Sequence, residues 1–228
     1  MKSAKNRILS VTLVAVAILA SLIPATAQPG APNPQGIAGD LHSHLSQLEY
    51  NTQVSELEQL HAAFHRALSV RDYVNGDPAD VITQRLRDIL SLWTHDATLV
   101  VAFGNSTIDG NYIGNGDPDD DSTCPEVSTD PNNRGTVCTF FKYVAPAFQP
   151  SNKLVSLTPA YKTFFDVHGD TASIYFECHL FNVAIDPETG NPAWTAAGHV
   201  AFHGATRKVK GRWLFAQINV TTAPVPIP

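Results

Sequence analysis

Two stretches near the C-terminus, residues 172–185 and 194–206, alternate so regularly that each must be a strand with two chemically different faces. In the first, Ile174, Phe176, Cys178 and Leu180 share one face, and Tyr175, Glu177, His179 and Phe181 share the other. In the second, Ala196, Gly198, Val200 and Phe202 lie opposite Ala197, His199, Ala201 and His203. Asp186-Pro-Glu-Thr-Gly-Asn-Pro between them is rich in turn formers, which predicts an antiparallel hairpin. A register centred on that turn sets His179 opposite His199 and Tyr175 opposite His203. Three histidines, a glutamate and a tyrosine then share one patch of sheet.

The remaining pattern runs from helices to strands. Ser46 and Glu49 have capping-box spacing, and Leu57, Leu60, Phe64 and Leu68 form an apolar stripe at helical period ending near Val70. Asp77-Pro78 has the form of an N-cap followed by proline, ahead of Ile82, Leu86, Ile89 and Trp93 on one face. Strands are expected over 97–103 and 107–113, then over 154–157, 160–167 and 212–220. Between these groups, Val137, Phe140, Phe141 and Val144 predict a helix over 136–144 that Pro146 ends. The order implies an α+β fold with helices packed on one face of a curved antiparallel sheet.

At the N-terminus, Lys2, Lys5 and Arg7 precede an apolar run and then Ala25-Thr-Ala27. That is the layout of a secretory signal peptide over 1–27, too short to serve as a stable membrane anchor. Residues 28–40 are poor in apolar surface and predict a disordered linker, with the folded domain over 41–224. The expected location is therefore periplasmic or extracellular. In an oxidising compartment Cys124 and Cys138 are expected to close a disulfide worth roughly 3 kcal/mol. Cys178 reads instead as a buried small hydrophobe. Net charge is −6 without a long basic run, so nucleic acid is not an expected partner. The acidic run Asp117-Pro-Asp-Asp-Asp121 lacks the glycine and terminal glutamate of an EF-hand loop and reads as a solvated loop. His61 and His65 lie one helical turn apart, with His61 expected beside the core and His65 solvated.

His61-Ala-Ala-Phe-His-Arg-Ala-Leu, Leu92-Trp-Thr-His-Asp-Ala-Thr-Leu, Phe140-Phe, Val167-His-Gly-Asp-Thr-Ala and Lys210-Gly-Arg-Trp together resemble the SnoaL-like, nuclear transport factor 2-like superfamily. The resemblance covers about residues 53–222, with departures in an insertion around 73–83 and a long loop over 114–134. It implies a cone-shaped sheet wrapped around N-terminal helices, a cystatin-like α+β barrel with a pocket at its wide end, often dimeric through the outer sheet, which makes a homodimer a candidate partnership. Members include isomerases, dehydratases, cyclases, ligand binders and interaction modules, so the fold does not choose a reaction. The tyrosine and base positions of ketosteroid isomerases fall on Phe64 and Val101, and their late acid falls near His203. A scytalone dehydratase aspartate falls near Ser69. Neither constellation is complete.

The resemblance directs Tyr175, Glu177, His179, His199 and His203 into the cone, whereas hydrophobic patterning buries the face carrying Ile174 and Phe176. With the polar face inward, as expected here, His179, His203, Glu177 and Tyr175 are the candidate catalytic groups for proton transfer. Phe64, Leu68, Trp93, Val101, His199 and Ala201 are then the candidate ligand-binding residues. No cofactor is called for, and no metal site is assigned, because neighbours on one strand are not a diagnostic ligand spacing. The expected function is an exported pocket protein for a small hydrophobic molecule, polyketide-like or steroid-like. A dehydratase, isomerase or cyclase using His and Glu, and a dimeric interaction module, are the alternatives.

Overall fold

The computed structural model describes residues 34–157 and 162–222. The expected signal peptide over 1–27 and the expected linker up to residue 33 lie outside the described residues. The chain divides into two units, the first ending at Gln47 and the second running from Leu48 to Pro228. What is described of the first is residues 34–47, helical and, from Leu41 on, exposed. No described helix is long and apolar enough to cross a membrane.

Helix α1 spans Pro34–Leu68. It begins within the stretch expected to be a disordered linker and passes straight through Ser46 and Glu49, so the capping-box spacing marks no helix start. The physical reason is that extending a nucleated helix costs little, and proline is well tolerated at a first helical position. Leu57, Leu60, Phe64 and Leu68 are buried along it as the periodicity predicts. Helix α2, Ala79–Leu90, buries Leu86, Ile89 and Leu90. Its N-cap is Pro78, with no side-chain cap. Asp77 faces elsewhere, because its carboxylate accepts from the backbone N–H groups of Arg71 and Asp72 and from the buried Arg85 guanidinium. An ion pair at 2.7 Å outcompetes the cap.

Strands β1, Trp93–Ala102, and β2, Gly110–Ile113, form the first hairpin. A short helix α3, Val137–Thr139, continues as a π-helical turn over Phe140–Val144 and stops before Pro146. β3, Leu154–Leu157, and β4, Thr163–His168, both pair with β5, Thr171–Ile185. β6, Pro192–Val209, and β7, Arg212–Thr222, complete one seven-stranded sheet in the order β2-β1-β7-β6-β5-β3, with β4 beside β5. The sheet is curved and unclosed, and it is antiparallel except where β1 runs parallel to β7. Gly204 on β6 has a packing reason, since a Cβ there would collide with the Gln217 carbonyl oxygen.

The β5–β6 register follows the turn, with His179 opposite His199 and Tyr175 opposite His203. Which face turns to the core is opposite to expectation. Ile174 and Phe176 are 4 % and 1 % exposed and pack with Phe64 and Phe215, while Tyr175 is 36 % exposed and His203 is exposed too. Hydrophobic patterning wins because the aromatic side chains of α1 and β7 offer Phe176 and Phe202 a ready core.

Cys124 and Cys138 are joined by a disulfide that ties the long loop to α3. The acidic run is tied down by ion pairs from Arg87 to Asp119 and from Lys142 to Asp121.

Candidate functional site

Three local arrangements carry chemistry. The first is an apolar cavity of about 300 Å³. Leu68 enters it from α1, Phe140, Phe141 and Val144 from the π-helical turn, and Leu180, Val200 and Val220 from the sheet. Phe103 and Ile108, from the β1–β2 connection, and the Cys178 side also border it. Phe140 and Val144, four positions apart, share one side of the π-helical turn and face the same space. An apolar concavity of this size is at the small end of ligand pockets.

Of the residues expected to line a pocket, Leu68 and His199 border this cavity. Phe64, Trp93 and Val101 do not, being sealed in the core at 0 %, 3 % and 2 % exposure. Ala201 is buried beside Glu177 on the other face of the sheet. Phe103, Ile108, Phe140 and Val144 were not anticipated as lining. The one signal for them was the Phe140-Phe pair, which carries no information about a π-turn.

The second arrangement is the polar patch of β5 and β6. Glu177 is 4 % exposed and organises it. Its Oε1 accepts from the Tyr175 hydroxyl at 2.6 Å and from Lys162 Nζ at 3.0 Å. Its Oε2 meets His199 Nε2 at 2.6 Å, and His179 Nε2 lies 3.9 Å away. The His179 and His199 rings overlap at a centroid distance of 3.9 Å, tilted by 37°. Burial would raise the Glu177 carboxyl, but the hydrogen bonds from Tyr175, Lys162 and His199 outweigh it and hold it below the usual glutamate range. Burial, with the neighbouring His199, pushes the His179 imidazole down. The hydrogen bond to Glu177 pushes the Tyr175 hydroxyl up.

Four sequence-nominated groups, Tyr175, Glu177, His179 and His199, thus come together. The candidate catalytic His203 does not join them; it sits across from Tyr175 and is exposed. Lys162 is the member that sequence reasoning missed, because it lies fifteen positions from Glu177 in a stretch assigned to a regular strand. None of the catalytic candidates points into the cone as expected. They occupy the face turned away from Phe64.

The third arrangement lies under the sheet. His65 Nδ1 is 2.8 Å from Ser156 Oγ, and its Nε2 is 2.9 Å from His61 Nε2. His65 is therefore not solvated, contrary to the helix-edge expectation, because β3 closes over it. Burial pushes the His61 imidazole down to about 4 and, together with His61 itself, that of His65 to about 3. The unfolded chain protonates these rings near 6.5, before the folded one does, so it binds more protons below that pH. Stability should accordingly fall as pH drops from about 6.5 toward 4, at no more than ~1.4 kcal/mol per unit for each ring. Denaturant titrations at pH 7.5 and 5 check this. The loss should shrink by at least half in a His61→Gln/His65→Gln variant, and an undiminished loss would assign it to other groups.

No protein-family model matches the sequence, and no curated protein matches it. Solved structures do resemble it. A nuclear transport factor 2-like protein of cystatin-like fold from Novosphingobium aromaticivorans shares 12 % identity over 85 % of this chain and 92 % of its own, with a TM-score of 0.49. The likeness is one of fold. A nuclear transport factor 2-like protein of unknown function from Pseudomonas putida shares 12 % over 78 % and 90 % of the two chains, at a TM-score of 0.45. A protein named LinA shares 13 % over 80 % and 96 %, at a TM-score of 0.46.

Proposed function

We propose that this chain is an exported protein that binds a small hydrophobic molecule in the cavity between the π-helical turn and the sheet. The observation carrying this is the cavity's lining, where Leu68, Phe103, Ile108, Phe140, Val144 and Val220 converge around about 300 Å³. Such a lining recognises shape and apolar area, with little polar selectivity. Binding is preferred over proton-transfer catalysis because Tyr175, Glu177 and His179 lie on the opposite face of the sheet, outside the cavity lining, which only His199 of that cluster joins. The cavity volume favours a compact ring system over an extended polyketide or steroid. Export rests on the N-terminal sequence and fits the Cys124–Cys138 disulfide. N-terminal sequencing of the cell-free or periplasmic protein tests it, with Gln28 as the expected first residue.

Val144 is partly exposed at the cavity, so Val144→Trp fills the space without removing a core side chain. Titration with an apolar fluorescent dye should show one site per chain, weakened about tenfold or more by Val144→Trp. His179→Gln should bind the dye as the wild type does. Equal affinity of the wild type and Val144→Trp would contradict the assignment of the cavity.

A further inference from the structure

Of the Glu177 cluster only His199 borders the apolar cavity, yet the cluster as a whole is closely connected. A carboxylate held at 4 % exposure on a sheet face is costly unless something repays it. Tyr175 and Lys162 both attach to Oε1, which fixes the carboxylate plane and leaves Oε2 turned toward two imidazole nitrogens. Among the described residues, His179 Nε2 is buried without a hydrogen-bond partner. The nitrogen and oxygen atoms offered by Glu177, His179 and His199 all lie within 4.8 Å of one another.

We propose that Glu177 Oε2, His179 Nε2 and His199 Nε2 form a binding site for a borderline divalent transition-metal cation such as Zn²⁺. Two imidazoles and one carboxylate are a recognised donor set for zinc, with a fourth position left to water. Bonds of about 2.0–2.2 Å in a tetrahedron put ligand atoms about 3.3–3.6 Å apart. The present separations from Oε2, 2.6 Å to His199 and 3.9 Å to His179, bracket that range, so movements of an ångström or less convert one geometry into the other. The donors come from rigid positions. Glu177 and His179 are alternate residues of β5, and His199 is the cross-strand neighbour of His179 on β6. Tyr175, on the far oxygen, then acts as the outer hydrogen bond that orients a ligating carboxylate. Lys162 opposes the cation by charge, and its side chain is 31 % exposed, so it can turn toward solvent as the ion enters.

The test is calorimetric titration of the purified full chain with Zn²⁺ alone, together with the absorption spectrum of Co²⁺ added in its place. One ion per chain with a tetrahedral Co²⁺ spectrum is expected. Affinity should drop about tenfold or more in His179→Asn and Glu177→Gln, and rise in Lys162→Gln, where the opposing charge is gone. Circular dichroism of each variant separates lost binding from lost folding, and His179→Asn, which breaks no hydrogen bond of Glu177, covers the case in which Glu177→Gln fails to fold. Absence of binding in the wild type would overturn the proposal. So would binding that survives His179→Asn but disappears in His61→Gln/His65→Gln, since the ion would then sit on the histidine pair of α1.

Discussion

Replacing Arg85 by alanine is expected to cost about 3–5 kcal/mol, enough to leave the domain marginal. Arg85 is 1 % exposed and ties together four segments. Its Nε donates to the Ala67 carbonyl at 3.0 Å, and its Nη2 donates to those of Leu68 at 2.7 Å and Ala147 at 2.9 Å. Nη1 pairs with Asp77 Oδ2 at 2.7 Å. The first two carbonyls belong to the last turn of α1, where no helical N–H is available, so Arg85 is in effect the C-terminal cap of that helix. Alanine takes the counter-charge from a buried carboxylate, which keeps only the N–H groups of Arg71 and Asp72, and orphans three carbonyls at once. The double change Asp77→Leu/Arg85→Met removes both charges, which in many proteins restores stability. Here it should recover only part of the loss, because the carbonyls stay orphaned. Guanidinium denaturation of the single and double variants checks this, and full recovery would show that the ion pair, not the cap, carries the cost.

Phe64→Ala should cost a similar amount, about 3–5 kcal/mol. Phe64 is fully buried, and its ring makes edge contacts with Phe141, Phe176, Phe202 and Phe215 at centroid distances of 5.1–6.4 Å. It is the point where α1, the π-helical turn and three strands meet. Phe64→Leu, which keeps most of the volume, should cost far less. Thermal and denaturant midpoints measure both, and a loss below about 1 kcal/mol for alanine would mean the core collapses around the gap.

Much of the architecture was legible because it rests on local periodicity. The β5–β6 hairpin and its register follow from strict alternation on either side of one turn, and the stripe Leu57, Leu60, Phe64 and Leu68 identifies the buried side of α1. The facing of the sheet was harder. Alternation shows that two faces differ, but a face with Tyr175, Glu177 and His179 can turn to either side provided its charge finds partners. The partner that stabilises Glu177 on this side, Lys162, comes from a different strand connection, and no spacing rule links the two. Asp77 failed as a cap for a related reason. Its true partner, Arg85, is a helix residue whose burial at 1 % runs against the usual exposure of arginine. The apolar cavity was hidden because a loop, a π-turn and three strands each supply only part of its wall.

The measurement that bears most directly on the central claim is a crystal structure of the mature chain soaked with a compact apolar ligand such as naphthalene. The ligand is predicted to lie among Leu68, Phe140, Val144 and Val220, with Tyr175, Glu177 and His179 undisturbed on the other face. A filled, collapsed cavity with the ligand seated instead against Tyr175, His179 and His203 would contradict that prediction and return the polar face to the centre of the protein's function.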